Sequence, residues 1–135
     1  SLYAIRSDGS VARKESVSRI VGNLDTSVPF GCAWSDDLNR LAFEAATGEE
    51  LAEGGQPLYG LFLYDFTTRK RRLLTPKGMS GGSPVWQNRN VLVFTSGRNT
   101  RRYTPAQIQT LEVNTGTMRP LVPNASNAAI ARRGA

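Results

Sequence analysis

The hydrophobic positions of this 135-residue chain fall in short runs that either alternate with polar residues or stand as brief apolar blocks, as in Leu2-Tyr3-Ala4-Ile5, Leu61-Phe62-Leu63-Tyr64 and Val91-Leu92-Val93-Phe94. No window keeps apolar residues at i, i+3, i+4 and i+7 through three turns. A side-chain period of two belongs to strands. The pattern therefore predicts an all-β chain with strands over 2–6, 10–16, 31–35, 40–45, 58–65, 70–75, 83–87, 91–95, 106–113 and 117–121. The separators carry turn chemistry: Asp8-Gly9, Asp36-Asp37, Thr68-Arg69, Asn88 to Asn90, Gly97 and Asn114-Thr115-Gly116. Segments 17–30 and 76–82 read as turns between sheets, and 46–57 as a solvated Gly- and Glu-rich insertion.

Many short strands with polar turns fit a sandwich, a barrel or a propeller, and internal repetition decides among them. Trp34-Ser35-Asp36-Asp37-Leu38-Asn39-Arg40-Leu41-Ala42-Phe43 is echoed by Trp86-Gln87-Asn88-Arg89-Asn90-Val91-Leu92-Val93-Phe94, 52 residues on. A second signal, Leu63 to Leu74, returns about 47 residues later as Leu111 to Leu121. A propeller repeats a four-stranded sheet around an axis, whereas a sandwich has no reason to reuse one phrase.

The residues Trp34 to Phe43 resemble the W-S-P-D-G-K-R-L-A-F phrase of TolB-like, WD-like propeller repeats. Leu63-Tyr64-Asp65-Phe66-Thr67-Thr68 is similar to the same family's Asp-Thr-Gly hairpin, and Leu2 to Ser10 looks like that hairpin in a preceding blade. Asp36 stands where the family has proline, and Leu38 where it has the turn glycine. The resemblance implies a partial β-propeller of four-stranded antiparallel blades: a half blade at 1–16, blades at 31–75 and 83–122, and a tail at 124–135. It also implies a periplasmic or extracellular place in a bacterium. Closed propellers have about 4 to 8 blades. So few blades expect completion by copies of the chain or a partner protein, or membership of a longer chain.

The longest uninterrupted apolar run, Leu61 to Tyr64, is far short of the roughly 20 residues of a membrane-spanning helix. Ser1 leads directly into Leu2-Tyr3-Ala4-Ile5, which is not the pattern of a signal peptide. The net charge of +6 is unevenly spread: residues 25–60 carry one basic residue against seven acidic ones, and residues from 61 onward carry twelve against two. Such asymmetry suits steering toward an acidic surface, a polyanion or another copy.

Chemistry of the catalytic kind finds little support in these residues. Gly78-Met79-Ser80-Gly81-Gly82 matches a nucleophile-elbow pattern, but the chain has no histidine to take a serine proton and a strand start follows. It reads as a flexible turn. Asp36-Asp37 reads as a hairpin turn, and Glu49, Glu50 and Glu53 lack the alternating spacing of a calcium loop. Cys32, the single cysteine, reads as core filler, and Trp34 and Trp86 as blade core. No cofactor or metal is expected.

What remains is binding. Arg69-Lys70-Arg71-Arg72 reads as charge that protects a sheet edge. Arg98, Arg101, Arg102 and Tyr103 combine arginine with an aromatic, a composition common at interfaces. The expected function is a non-enzymatic binding or scaffold module with those four residues as contacts and Glu49, Glu50 and Glu53 as an acidic counterpart. Alternatives are a propeller portion of a prolyl-peptidase-like hydrolase and a basic module that holds nucleic acid.

Overall fold

A computed structural model describes residues 1–99 and 105–123 as strands, turns and one short helix. The strands are β1 (Leu2–Ile5), β2 (Val11–Glu15), β3 (Phe30–Trp34), β4 (Arg40–Glu50), β5 (Pro57–Asp65), β6 (Lys70–Leu73), β7 (Met79–Trp86), β8 (Val91–Arg98), β9 (Gln107–Glu112) and β10 (Met118–Pro123). They form three antiparallel sheets: β1-β2, β3-β4-β5-β6 and β7-β8-β9-β10, each a plain meander. The chain is all-β, as the period-two pattern requires.

Five local expectations change, and in the first of them Gly97, expected as a turn, lies inside β8 and pairs with Ser80. The 17–30 connection contains a helix, α1 (Val17–Val21), whose Ile20 and Val21 are buried. The 46–57 insertion is mostly hairpin, because β4 runs on to Glu50 and β5 begins at Pro57. The 78–82 glycine segment is not a loop but the start of β7. An added Cβ on Gly81 would stand 2.6 Å from Thr75 Cγ2 and 3.2 Å from Leu61 Cβ, so close approach between sheets explains this glycine. Cys32 is exposed on β3 rather than packed in the core.

The register shows that the sheets repeat one another strand by strand. Trp34 pairs with Leu41, Leu41 with Tyr64 and Tyr64 with Arg71. Trp86 pairs with Leu92, Leu92 with Leu111 and Leu111 with Met118. Both sheets break register at the same place on their first strand, between Phe30 and Ala33 and between Gly82 and Val85. Ser83 (φ 50°) holds the left-handed backbone that Gly31 (φ 53°) holds in the second sheet. Arg69 (φ 58°) stands where the third sheet has Gly116 (φ 76°). Residues with a Cβ thus occupy conformations that favour glycine.

Burial follows from face-to-face packing. Ala42, Leu61 and Leu63 on one face of the second sheet meet Trp86, Leu92, Phe94, Leu111 and Val113 of the third. The opposite face, with Leu41, Phe43, Phe62 and Tyr64, is covered by Ile20 and Val21 of α1 and by Leu2 of β1. The Trp86 indole N–H donates to the Ala33 carbonyl across the sheet boundary at 2.9 Å. The Arg40 guanidinium lies 5.0 Å over the Trp86 ring.

Candidate functional site

Each sheet is joined to the next by arginines whose placement follows from strand alternation. On β6, Arg71 and Arg72 point to opposite faces. Arg71 donates to Ile20 O at 3.2 Å and Asn23 Oδ1 at 3.3 Å at the end of α1, while Arg72 donates to Val113 O of the third sheet. On β2, Arg13 donates to Leu38 O at 3.0 Å and lies 4.2 Å over the Phe66 ring. Within the basic run at 69–72, Arg71 and Arg72 therefore clamp neighbouring units as well as charging an edge strand.

One end of the molecule gathers the connections in which contacts are expected. Thr26 Oγ1 accepts from Ala46 N at 2.8 Å, which ties the 17–30 segment to β4. Gly78 N donates to the Glu49 carboxylate at 3.1 Å and 3.2 Å. Asn99 donates from its backbone N to Gly78 O at 2.7 Å and from Nδ2 to Glu50 O at 2.8 Å, and its Oδ1 accepts from Ala52 N at 2.6 Å. Asn99 is the hinge pin of this cluster, and only its chain position beside Arg98 hinted at it.

Of the expected contact residues, Arg98, Glu49, Glu50 and Glu53 lie at this end. Arg98, Glu50 and Glu53 are exposed; Glu49 is half-buried by its bond to Gly78. Among the described residues the one ion pair is Arg13–Glu15, so Arg98 does not bridge to the glutamates. Arg101, Arg102 and Tyr103 lie outside the described residues. A cavity of about 240 Å³ lined by Met79, Ser96, Gly97, Arg98, Pro105, Gln107 and Gln109 opens beside Arg98. Its wall is fixed by the bond from Gln109 Nε2 to Ser96 Oγ at 2.8 Å.

The ionisable groups here are structural in character. Asp37 accepts from Ser35 Oγ at 2.7 Å and from Asn39 N at 3.0 Å, and those bonds, the serine's first, hold its carboxyl below the usual range. Desolvation, with Glu44 second, pushes the Cys32 thiol up to about 11, so the sulfur is a poor nucleophile although the residue as a whole is exposed. No group of three His, Cys, Asp or Glu among the described residues could hold a metal ion. No helix among them is long and apolar enough to cross a membrane.

Neither a protein-family model nor a curated protein matches the chain.

Proposed function

We infer that the chain is a non-enzymatic binding and scaffold module whose stacked sheets are blades of a TolB-like partial β-propeller, completed by copies of itself or by a partner protein. One observation carries the reading. Tyr3 and Ile5 on the outer face of the first sheet are 45% and 64% exposed, with Val11 at 53%, whereas Phe62 and Tyr64 on the corresponding face of the second sheet are 5% and 2% exposed. A stacked sheet buries that face, and among the described residues nothing covers it on the first sheet. The cluster around Arg98 and Glu49 to Glu53 supplies a second, polar contact surface; Arg101, Arg102 and Tyr103, contacts expected from the sequence, lie outside the described residues.

The absence of histidine from the sequence, and the strand geometry of Ser80 within β7, both favour binding over serine chemistry. The test is the mass in solution at moderate salt, alone and with candidate partners. An assembly larger than the 14.7 kDa chain is expected. A clean monomer that captures no partner refutes the reading.

A further inference from the structure

The third sheet departs from the second at one place, and there a cavity opens. The register makes Phe94–Gln109 the counterpart of Phe43–Phe62, and Ser96–Gln107 the counterpart of Ala45–Gly60. In the second sheet Phe62 is buried and stacks on Phe43 at 5.6 Å, and Ala45 is buried beside them, so the space is filled by carbon. In the third sheet the same two positions are Gln109 and Ser96, only 8% and 4% exposed, and both line the cavity of about 240 Å³ beside Arg98. A buried polar group is costly unless it is hydrogen-bonded. The Ser96 hydroxyl donates to Gln107 O at 3.4 Å and accepts from Gln109 Nε2 at 2.8 Å, which leaves Gln109 Oε1 without a partner among the described residues. None of their fully enclosed side-chain oxygens is unbonded, so Oε1 opens onto the cavity as an acceptor. The one charged group in the described lining is the Arg98 guanidinium, which forms neither a hydrogen bond nor an ion pair within the described residues. Met79 and Pro105 add apolar wall.

We propose that this cavity binds a small α-hydroxy or α-amino carboxylate, whose carboxylate pairs with Arg98 and whose O–H or N–H donates to Gln109 Oε1. The lining sets the class. A guanidinium presents paired N–H groups that match a carboxylate, and a buried acceptor left unpaired favours a ligand that brings a donor over one that does not. One positive charge suits one carboxylate. The volume lies below the roughly 300 Å³ at which pockets for drug-sized ligands begin, which restricts the ligand to a few heavy atoms. The lining comes from the third sheet and the turn before β9, so the site goes beyond the scaffold reading and does not depend on it.

The probes are glycolate, L-lactate, glycine and L-alanine, titrated singly into the intact protein and followed by proton–nitrogen correlation NMR. Propionate, which lacks the donor, and lactamide, which lacks the charge, are the controls. Saturable shifts centred on Ser96, Gly97 and the Gln109 side-chain amide are expected with the hydroxy acids or the amino acids, and which pair responds identifies the donor. Propionate and lactamide should bind about tenfold more weakly or worse, and Gln109→Leu and Arg98→Gln should each weaken the responding probe by a similar factor. Arg98 is exposed, so Arg98→Gln and the two controls carry the test if Gln109→Leu does not fold. Silence with every probe up to about 50 mM overturns the proposal. Propionate binding as well as the responding probe reduces the site to a carboxylate contact at Arg98 and also overturns it, as does a folded Gln109→Leu that binds unchanged. Lactamide binding as well as lactate removes the role of the charge, with the same result. The mass in solution is indifferent to all of these outcomes, so failure here leaves the scaffold reading standing.

Discussion

Replacing each repeat tryptophan with alanine should cost unequal amounts, although the sequence makes the two look alike. Trp86 is 2% exposed, packs among Leu92, Leu111 and Leu63, and donates its N–H to Ala33. Truncating a buried aromatic costs about 3–5 kcal/mol, and the stranded Ala33 carbonyl moves Trp86→Ala toward the upper figure. Trp34 is half-buried, has no hydrogen bond on its indole from the described residues and keeps one face on Phe66 at 5.3 Å between centroids. Most of its surface is still buried against the core around Tyr64 and Phe66, so Trp34→Ala should cost about 2–3 kcal/mol, less than Trp86→Ala. A full core cost at Trp34, expected from the sequence, is thereby revised downward. Urea unfolding followed by far-UV circular dichroism measures both, with equal m-values required for the comparison. Domains are stable by about 5–15 kcal/mol, so Trp86→Phe is the fallback if the alanine variant does not fold. Costs that agree within about 0.5 kcal/mol would refute the asymmetric stacking of the sheets.

Three further outcomes follow from the backbone and the turns. Gly81→Ala should destabilise by about 1–3 kcal/mol, because its Cβ meets Leu61 and Thr75 of the facing sheet, while Gly82→Ala should cost less than about 1 kcal/mol, because the obstacle is the movable Glu44 carboxylate; thermal melts rank them. Arg69→Gly should stabilise by about 1 kcal/mol and raise Tm by a few degrees, since an exposed side chain at φ 58° gives way to the residue its counterpart Gly116 already is; an unchanged or lower Tm contradicts the equivalence. Asp37 has a depressed folded-state pKa, so its contribution is present above the unfolded value near 3.9 and is lost as pH falls through the folded one. Asp37→Ala should therefore be less stable than wild type at pH 7 by under about 1 kcal/mol, with the difference closing below pH 4 in denaturant titrations.

The residues alone determined the all-β class and the approximate places of all ten strands, because strand alternation and turn residues are local properties. They also exposed the repeat, through tryptophans that turn out to share one register in successive sheets. The helix at 17–21 was not legible, since five residues are too few for a period and its stability comes from Ile20 and Val21 packing on the second sheet. Nor was the extent of β4 and β7, where glycine and glutamate look like loop until a neighbouring strand pairs with them. The site divided in the same way. Glu49 to Glu53 and Arg98 stand out by composition, but Asn99 as their link, Arg71 and Arg72 as clamps between sheets, and the unequal surroundings of Trp34 and Trp86 depend on what lies about fifty residues away. Sequence sets which face of each strand is apolar; only the stacking of whole sheets decides which of those faces is covered and which still lacks a neighbour, because burial is a property of pairs of surfaces.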